Sequence, residues 1–389
     1  MPELLLLKAL DAESAEAPEF RFLLSQTVLE AKKAFGAARL LANPEGPIDL
    51  DGVAAVLVLG TPNVLLSAAS LTAMRDRLEA GFDRISPVRL ADADLGELAA
   101  AGETGEAVEP VYTLRGYERL EERFLQASRA SPDRYPVLSS HLPVSLFSTR
   151  AFAALQASLP LPRLLGEPAA LENTSLRAAS AGLCHEFIDY YGEERRDVLP
   201  LIPPGSEVLE VGCGRGVTGQ LLERELGCRV TGVELNPVVA EEARQRLHAV
   251  LQGDIQTLPL DGAFDVVLAL ELVEHLPASE PFLTRARQLL RPSGRLVLSI
   301  PNVGHYSIVE DLLAGRWDYL PIGLLCYTHF RFFTRHSLAD WLRRCGFESF
   351  EILAQKTELP ERYRTRPIAG VPPDVESLAT KGFYVVAYR

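Results

Sequence analysis

Short apolar runs, each closed by a glycine or an acidic residue, recur between residues 207 and 302 and predict buried β-strands. The first run, Val208–Val211, leads into a turn that contains Gly212, Gly214 and Gly216. A helix is expected next, from about Thr218 to Glu225. The later runs are Arg229–Glu234, a run ending at Gly253–Ile255, Phe264–Leu270 and Gly294–Asn302. Strands that alternate with helices in this way predict an α/β fold with a parallel sheet.

After the fifth run, the sequence predicts a helix followed by two strands. Ser337–Cys345 has the spacing of an amphipathic helix that ends at Gly346. Phe350–Ala354 and Phe383–Tyr388 then predict two closing strands in a hairpin-like arrangement.

The first 158 residues predict a smaller α/β domain of their own. Val53–Leu59 is a buried-strand candidate, Ser67 is expected to cap a helix that runs to Glu79, and Phe82–Leu90 returns as a strand. The other expected elements are a strand over Leu4–Leu10, helices over Phe20–Phe35 and Tyr117–Ala127, and a strand over His141–Phe147. We interpret this region as an accessory domain for docking, substrate binding or dimerisation.

Residues 159–175 are rich in proline and predict a linker, so that the second domain would span residues 176–389. A helix capped by Asn173 or Ser175 is expected to run toward Tyr190 and Tyr191. This aromatic pair is either a lid over a bound ligand or ordinary core at a helix end.

Composition narrows the class of protein. A chain of 389 residues with 47% hydrophobic and 23% charged residues is long enough for two globular domains. A net charge of −13 disfavours nucleic acid as a partner. Apolar runs are too short to span a membrane, and the five scattered cysteines are typical of free thiols in a reducing compartment. We therefore expect a cytoplasmic protein. A homodimer is compatible with the sequence.

The glycine turn is the strongest chemical signal. Glycines let a backbone turn sharply and approach a ligand closely, and Glu234 follows roughly 20 residues later, where a carboxylate can bind ribose hydroxyls. Taken by itself, the turn is equally compatible with a tight turn that binds nothing. A pyrophosphate-binding dehydrogenase is a rival interpretation, although Val217 stands where the third glycine of that spacing would fall.

From about residue 175 to 389 the series resembles the class I S-adenosylmethionine (SAM)-dependent methyltransferases, whose glycine loop also begins with an acidic residue, here Glu210. The resemblance implies a seven-stranded Rossmann-like sheet with helices on both faces and SAM as the cofactor. It also implies that the loop faces the methionine part, Glu234 the ribose, and Asp254 with Ile255 the adenine. The implied cofactor-binding residues are Tyr191, Glu210, Gly212, Cys213, Gly214, Gly216, Glu234, Leu235, Gly253, Asp254, Ile255 and Leu270.

Glu271, Glu274 and His275 are spaced i, i+3, i+4 after the fourth run, and on a helix they would share one face at the ligand edge of the sheet. Such a set could hold a divalent cation such as Mg²⁺. It is similar to the set in metal-dependent O-methyltransferases of the ubiquinone pathway and of small-RNA 3′ ends, which implies His329 as a further ligand. His275 or His329 as a base without metal, and a purely structural role, are the alternatives; His305 is a second candidate base.

The segment from Gly315 to Thr334 is similar to bacterial methyltransferases of surface-polysaccharide pathways, which usually have Asp where this chain has Cys326. The first domain resembles the nucleotide-sugar half of A-type glycosyltransferases, but Gly60–Pro62 replaces the metal-binding Asp-x-Asp, which implies an inactive domain.

The expected function is therefore O-methylation of a hydroxyl on a small molecule, sugar, glycan or natural product, with His275, His329 and Glu271 as catalytic candidates. One alternative is methylation of a carboxylate or amine on a peptide or natural product. Another is a non-catalytic protein that binds SAM.

Overall fold

The computed structural model describes residues 3–8, 18–42, 44, 47–60, 64–89, 112–130, 144–158, 176–187, 191–260, 262–365 and 374–389. The chain divides into two compact units, Met1–Ile188 and Asp189–Arg389. The second unit therefore begins later than the predicted residue 176. The predicted linker over 159–175 lies outside the described residues.

The N-terminal unit combines strands and helices, as its sequence predicts. Its described strands are β1 (Glu3–Lys8), β2 (Ala38–Ala42), β3 (Val53–Leu59), β4 (Val64–Leu65), β5 (Arg84–Arg89), β6 (Val144–Ser148) and β7 (Ala178–Glu186). Its described helices are α1 (Pro18–Phe35), α2 (Ala68–Glu79), α3 (Leu114–Ala130) and α4 (Thr149–Ser158). The Ser67 hydroxyl caps α2 by accepting a 3.1 Å hydrogen bond from the Ser70 N–H, as predicted.

These strands form one mixed sheet in the order β2-β1-β3-β6-β5-β7-β4. The helix predicted to approach Tyr190 is wrong, because residues 178–186 form β7. This strand pairs in parallel with β5 and antiparallel with β4. Its alanines favour a helix in isolation, but backbone hydrogen bonds to two neighbouring strands override that local preference.

The C-terminal unit alternates strands and helices through most of its length. Its strands are β8 (Glu207–Val211), β9 (Arg229–Glu234), β10 (Ala249–Gln252), β11 (Phe264–Leu270), β12 (Leu290–Pro301), β13 (Phe350–Lys356) and β14 (Thr380–Tyr388). Its helices are α5 (Val217–Leu226), α6 (Pro237–Ala243), α7 (Ser279–Leu289), α8 (Tyr306–Leu313), α9 (Arg335–Arg344), α10 (Arg362–Thr365) and α11 (Val375–Leu378). Short 3₁₀ turns lie at Arg196–Leu201 and Val273–His275.

The strand order of the second sheet is β10-β9-β8-β11-β12-β14-β13. Strand β14 is antiparallel to both of its neighbours, and the five strands from β10 to β12 are parallel. From β8 the chain first builds outward through β9 to β10 and then returns to β11 on the other side. The carboxyl ends of β8 and β11 therefore flank a topological switch point, where α/β sheets bind ligands. The predicted fold class, a seven-stranded Rossmann-like sheet and a second α/β domain in the same chain, is confirmed.

Apolar side chains cover both faces of this sheet. One cluster packs around α7 and α9 and includes Phe282, Trp341 and Phe347, while the other packs around α5 and includes Leu222 and Val230. Nearly complete burial of these residues makes the sheet a rigid support for the loops at its carboxyl edge. Among the described helices, none is long and apolar enough to cross a membrane.

Candidate active site

The glycine loop, residues 212–216, follows β8 at the switch point. Gly212, Gly214 and Gly216 all have positive φ, at 72°, 53° and 76°. A Cβ on Gly214 would lie 2.5 Å from the Tyr191 carbonyl oxygen, which also accepts a 2.9 Å hydrogen bond from the Arg215 N–H. Position 214 thus requires glycine, and the loop backbone is tied to Tyr191, for which a lid and ordinary core packing are the two predicted roles. The neighbouring Tyr190 lies outside the described residues.

Glu234 ends β9 with its carboxylate turned back toward the loop. Its two oxygens accept hydrogen bonds from the Gly214 N–H at 3.0 Å and from the Asn236 N–H at 2.8 Å. Burial raises the pKa of this carboxyl, and those two backbone donors oppose the rise. The next residue, Leu235, is 66% exposed at the same edge. A fixed carboxylate beside an exposed apolar side chain fits a ribose next to an adenine ring.

Glu210 and Cys213 have interior side chains beneath the loop. The Glu210 carboxyl lies beside Gly219 of α5, accepts a hydrogen bond from its backbone, and leaves Oε2 without a hydrogen-bond partner among the described residues. Burial raises the pKa of Glu210 to about 8. The Cys213 thiol packs against Gly232, and burial raises its pKa as well. Cofactor contact by these two residues stays a prediction, with the loop's backbone interposed.

The adenine-side residues form a turn after β10. The Gly253 N–H donates to the Glu234 carbonyl at 2.9 Å, which joins this turn to the end of β9. Asp254 Oδ1 accepts a 2.9 Å hydrogen bond from the Gln256 N–H, and Ile255 is buried in the core. The geometry therefore places Gly253 and Asp254 at the carboxyl edge beside Glu234, as the sequence predicts.

The segment after β11 departs from its predicted structure. Glu271 has φ of 46°, the only positive value for a non-glycine among the described residues, and only Val273–His275 form a 3₁₀ turn. The predicted helix with Glu271, Glu274 and His275 on one face is therefore wrong. A left-handed residue at the strand end breaks the helical path, and Pro277 disfavours helical geometry just before it.

Glu271 is held by the neighbouring strand. Its N–H donates to Ser299 on β12, and the Ser299 hydroxyl donates to Glu271 Oε1 at 2.6 Å. The Arg195 guanidinium approaches the same oxygen at 4.0 Å. With 43% of its side chain exposed, Glu271 can still reach a ligand at the sheet edge.

Glu274 lies close to Glu271 but is fully buried. Neither carboxyl oxygen has a hydrogen-bond partner among the described residues. Burial, with a smaller contribution from Glu271, raises the pKa of Glu274 well above its ordinary value. Its backbone carbonyl accepts a 2.8 Å hydrogen bond from the Phe330 N–H, which ties this turn to the segment that contains His329.

His275 and His329 meet edge to face with ring centroids 4.6 Å apart. The Nδ1 atom of His275 lies 2.8 Å from the Thr328 hydroxyl oxygen, and Nδ1 of His329 has no hydrogen-bond partner among the described residues. Burial lowers the pKa of His275 to about 4. Burial and the neighbouring His275 lower that of His329 to about 3. Both imidazoles are thus neutral at pH 7.

The predicted Mg²⁺ ligands do not gather into one site. Among the described residues, the mutually close donors of this kind are His275, Cys326 and His329, whose ligating atoms lie within 4.8 Å of one another. Glu271 is bound to Ser299, and Glu274 stays outside the group. Because Mg²⁺ requires oxygen ligands, the residues present do not fit the predicted magnesium site.

His305 is a satisfied core residue rather than a base at the sheet edge. It is fully buried, and its two ring nitrogens lie 2.8 Å from the Ser307 hydroxyl and 3.0 Å from the Thr357 hydroxyl. Ser299, Thr328 and Arg195 are site residues that the sequence analysis did not predict. Their roles depend on contacts between segments far apart in the chain.

A family described as "Methyltransferase domain" matches residues 184–352. The ubiquinone biosynthesis O-methyltransferase of Xanthomonas axonopodis pv. citri is 31% identical over 179 residues, which cover 43% of this chain and 72% of that protein. The chain belongs to the SAM-dependent methyltransferases. The protein of the same description from Nitrosococcus oceani is 28% identical over 204 residues, or 47% of this chain and 85% of that one. A SAM-dependent methyltransferase structure from Archaeoglobus fulgidus aligns with a TM-score of 0.38 at 21% identity, covering 50% of this chain and 91% of the other.

The site of this methyltransferase fits SAM. The glycine loop leaves open backbone where side chains would intrude, and the Glu234 carboxylate is already oriented by two N–H groups. Leu272 lies just above the loop, 3.2 Å from where a Cβ of Gly212 would be, so the turn that carries His275 adjoins the cofactor loop. The loop, Glu234 and Leu235 would hold the cofactor, which supplies an electrophilic methyl carbon when bound.

Proposed function

We propose that this methyltransferase methylates a hydroxyl oxygen on a small molecule, sugar or glycan. The observation that carries the proposal is the pair of neutral imidazoles, His275 and His329, beside the turn that adjoins the glycine loop. The name of the relatives, ubiquinone biosynthesis O-methyltransferase, supports an oxygen acceptor.

A hydroxyl must lose its proton as its oxygen bonds to the methyl carbon, whereas a carboxylate acceptor is already ionised. A neutral imidazole can accept that proton, and the low pKa of His275 keeps it in this form at every pH above about 5. A weak base suffices, because the acceptor oxygen becomes strongly acidic once the new carbon–oxygen bond forms. The Thr328 hydroxyl fixes the orientation of the His275 ring.

Alignment is the second requirement, because the acceptor oxygen must lie directly behind the methyl carbon. Ser299 and Arg195 hold the Glu271 carboxylate at the edge of the sheet. A carboxylate in that position can accept a hydrogen bond from a second acceptor hydroxyl. This arrangement favours an acceptor with neighbouring hydroxyl groups.

The test is methyl transfer from labelled SAM to a panel of sugars, catechols, carboxylates and peptides. We expect transfer to a hydroxyl acceptor, and a loss of roughly 100-fold or more in His275→Ala and in the double variant with His329→Ala. His336→Ala is the matched control, since His336 lies on the surface of α9 with 92% of its side chain exposed. Transfer confined to carboxylates or amines would contradict the proposal, and tight SAM binding without any transfer would favour the non-catalytic alternative.

For the N-terminal unit we propose an accessory role in docking, substrate binding or dimerisation of a cytoplasmic enzyme. Its resemblance to nucleotide-sugar domains supports a glycan-related acceptor. In place of the metal-binding acids of those domains stands Gly60–Pro62, of which Thr61 and Pro62 lie outside the described residues. Light scattering of the full chain and of a chain lacking residues 1–188 tests the dimer, which should depend on the first unit.

A further inference from the structure

The strongest unassigned cluster in the C-terminal unit is a group of two imidazoles and a thiol. The ligating atoms of His275, Cys326 and His329 lie within 4.8 Å of one another. Cys326 and His329 are more than nine-tenths buried, and His329 Nδ1 has no hydrogen-bond partner among the described residues. A buried nitrogen without a hydrogen-bond partner either binds a ligand or carries a desolvation cost.

We propose that His275, Cys326 and His329 bind a zinc-class transition-metal ion and leave one coordination position open. Imidazole and thiolate donors select ions such as Zn²⁺ or Co²⁺ over Mg²⁺, which requires oxygen ligands. Three protein donors with an open fourth position are typical of catalytic rather than structural zinc sites.

The distances are compatible with this coordination. Bond lengths of about 2.0–2.3 Å to nitrogen and sulfur place tetrahedral ligand atoms about 3.3–3.7 Å apart. Donors now within 4.8 Å therefore need to close by about 1.5 Å at most, which side-chain rotation can supply. Binding replaces the Cys326 thiol proton, now donated to the Pro321 carbonyl, with the metal and releases that proton to solvent.

The surrounding contacts hold the donors in place. The Thr328 hydroxyl bonds His275, and the Leu324 backbone accepts a hydrogen bond from His329. The segment itself is folded tightly, with the Tyr327 N–H donating to the Leu320 carbonyl at 2.7 Å and the His329 N–H to the Cys326 carbonyl at 3.0 Å. Outer hydrogen bonds of this kind orient metal-binding histidines.

The open position would take the acceptor's hydroxyl oxygen, where the metal would lower the hydroxyl pKa so that its proton passes to solvent. In the metal-bound form His275 and His329 act as ligands, and the metal takes over the role that a free imidazole base has without it. This role at the acceptor rests on the proposed O-methylation, but metal binding itself does not. At this position a Cys326 thiolate would favour a softer metal ion than a carboxylate would.

The experiment is a Co²⁺ titration of the full chain after removal of bound metal, followed by absorption spectroscopy. We expect intense visible bands of tetrahedral Co²⁺ and a thiolate-to-cobalt charge-transfer band in the near ultraviolet, and zinc in protein purified without chelators. Cys326→Ser should lose the charge-transfer band, Cys326→Asp should lose it and shift preference toward Mn²⁺, and Thr328→Val should weaken binding by about tenfold. Cys345→Ser is the matched control, because Cys345 is outside the cluster.

Weak octahedral Co²⁺ spectra, or equal Co²⁺ affinity in wild type and Cys326→Ser, would overturn the metal site. Circular dichroism and SAM binding report whether each variant folds, and Thr328→Val replaces the Cys326 variants if they do not. The two proposals fail separately. Hydroxyl methylation without metal binding would remove the site and keep the function, whereas metal binding without any hydroxyl acceptor would do the reverse.

Discussion

Glu210→Gln should stabilise the protein at neutral pH but hardly at acidic pH. Gln keeps the shape of the side chain and can still accept the hydrogen bond from the Gly219 backbone. What it removes is the ionisation of a buried carboxyl. The pKa of Glu210 is raised from 4.5 to about 8, because burial disfavours the charged form.

The raised pKa sets the direction of the effect. Below pH 4.5 both the folded and the unfolded chain carry a protonated Glu210, and the side chain costs nothing by ionisation. As pH rises toward 8, the unfolded chain ionises while the folded one does not, and native stability falls by about 1.4 kcal/mol per pH unit. The expected gain in Glu210→Gln is therefore about 3 kcal/mol at pH 7 and about 1 kcal/mol at pH 5.

Calorimetric or urea unfolding of both proteins at pH 5, 7 and 8 measures this difference. Glu241→Gln is the control, since Glu241 is exposed on α6 and its substitution should change stability by less than about 0.5 kcal/mol. A gain for Glu210→Gln that is the same at all three pH values would refute the reasoning. SAM titration of the same variant reports separately whether the Glu210 charge contributes to cofactor binding.

Three further substitutions test the cofactor side and the strand end. Gly214→Ala should lower the free energy of unfolding by about 2 kcal/mol or more and weaken SAM binding, because a Cβ would lie 2.5 Å from the Tyr191 carbonyl oxygen in a left-handed conformation. An unchanged melting temperature and an unchanged SAM affinity by calorimetry would contradict this. Glu234→Ala should weaken SAM binding by about 100-fold, because two charge-assisted hydrogen bonds from the ribose hydroxyls to the carboxylate are lost. Equal SAM affinity of the variant and the wild type by calorimetry would contradict the assignment of Glu234 to the ribose. Ser299→Ala should free the Glu271 carboxylate and raise the acceptor KM with little effect on SAM affinity, while an unchanged KM would exclude a positioning role.

The strands of the C-terminal sheet could be predicted from the sequence, although β12 begins at Leu290 rather than Gly294 and β14 at Thr380 rather than Phe383. Phe264–Leu270 has the predicted bounds, and β9 ends at Glu234 as expected. Such strands are buried on both faces, so their continuous apolar runs and glycine boundaries mark them locally. The glycine loop was predictable for the same reason, since its conformation depends on residues within the loop.

What the sequence could not predict depends on partners distant in the chain. Strand β7 looked like the start of a helix because its small residues favour helix, but pairing with β5 and β4 decides its structure. Cys326 joins His275 only because the loop over 320–327 folds back on itself and the residues that follow it, Thr328 and Phe330, form hydrogen bonds to the turn after β11. No periodicity in the sequence records that contact.

The turn after β11, which the sequence predicted as a helix, also determines the shape of the site. A left-handed conformation at Glu271 costs about 1–2 kcal/mol, and hydrogen bonds from its N–H and to its carboxylate at Ser299 offset that cost. Had a helix continued from β11, Glu271 and Glu274 would lie on one face with His275 and favour a hard cation. The observed turn instead buries Glu274 alone and places His275 against His329 and Cys326. The backbone torsion at this strand end thus helps to place His275 with the nitrogen and sulfur donors of His329 and Cys326, while the Glu271 carboxylate stays at the ligand edge.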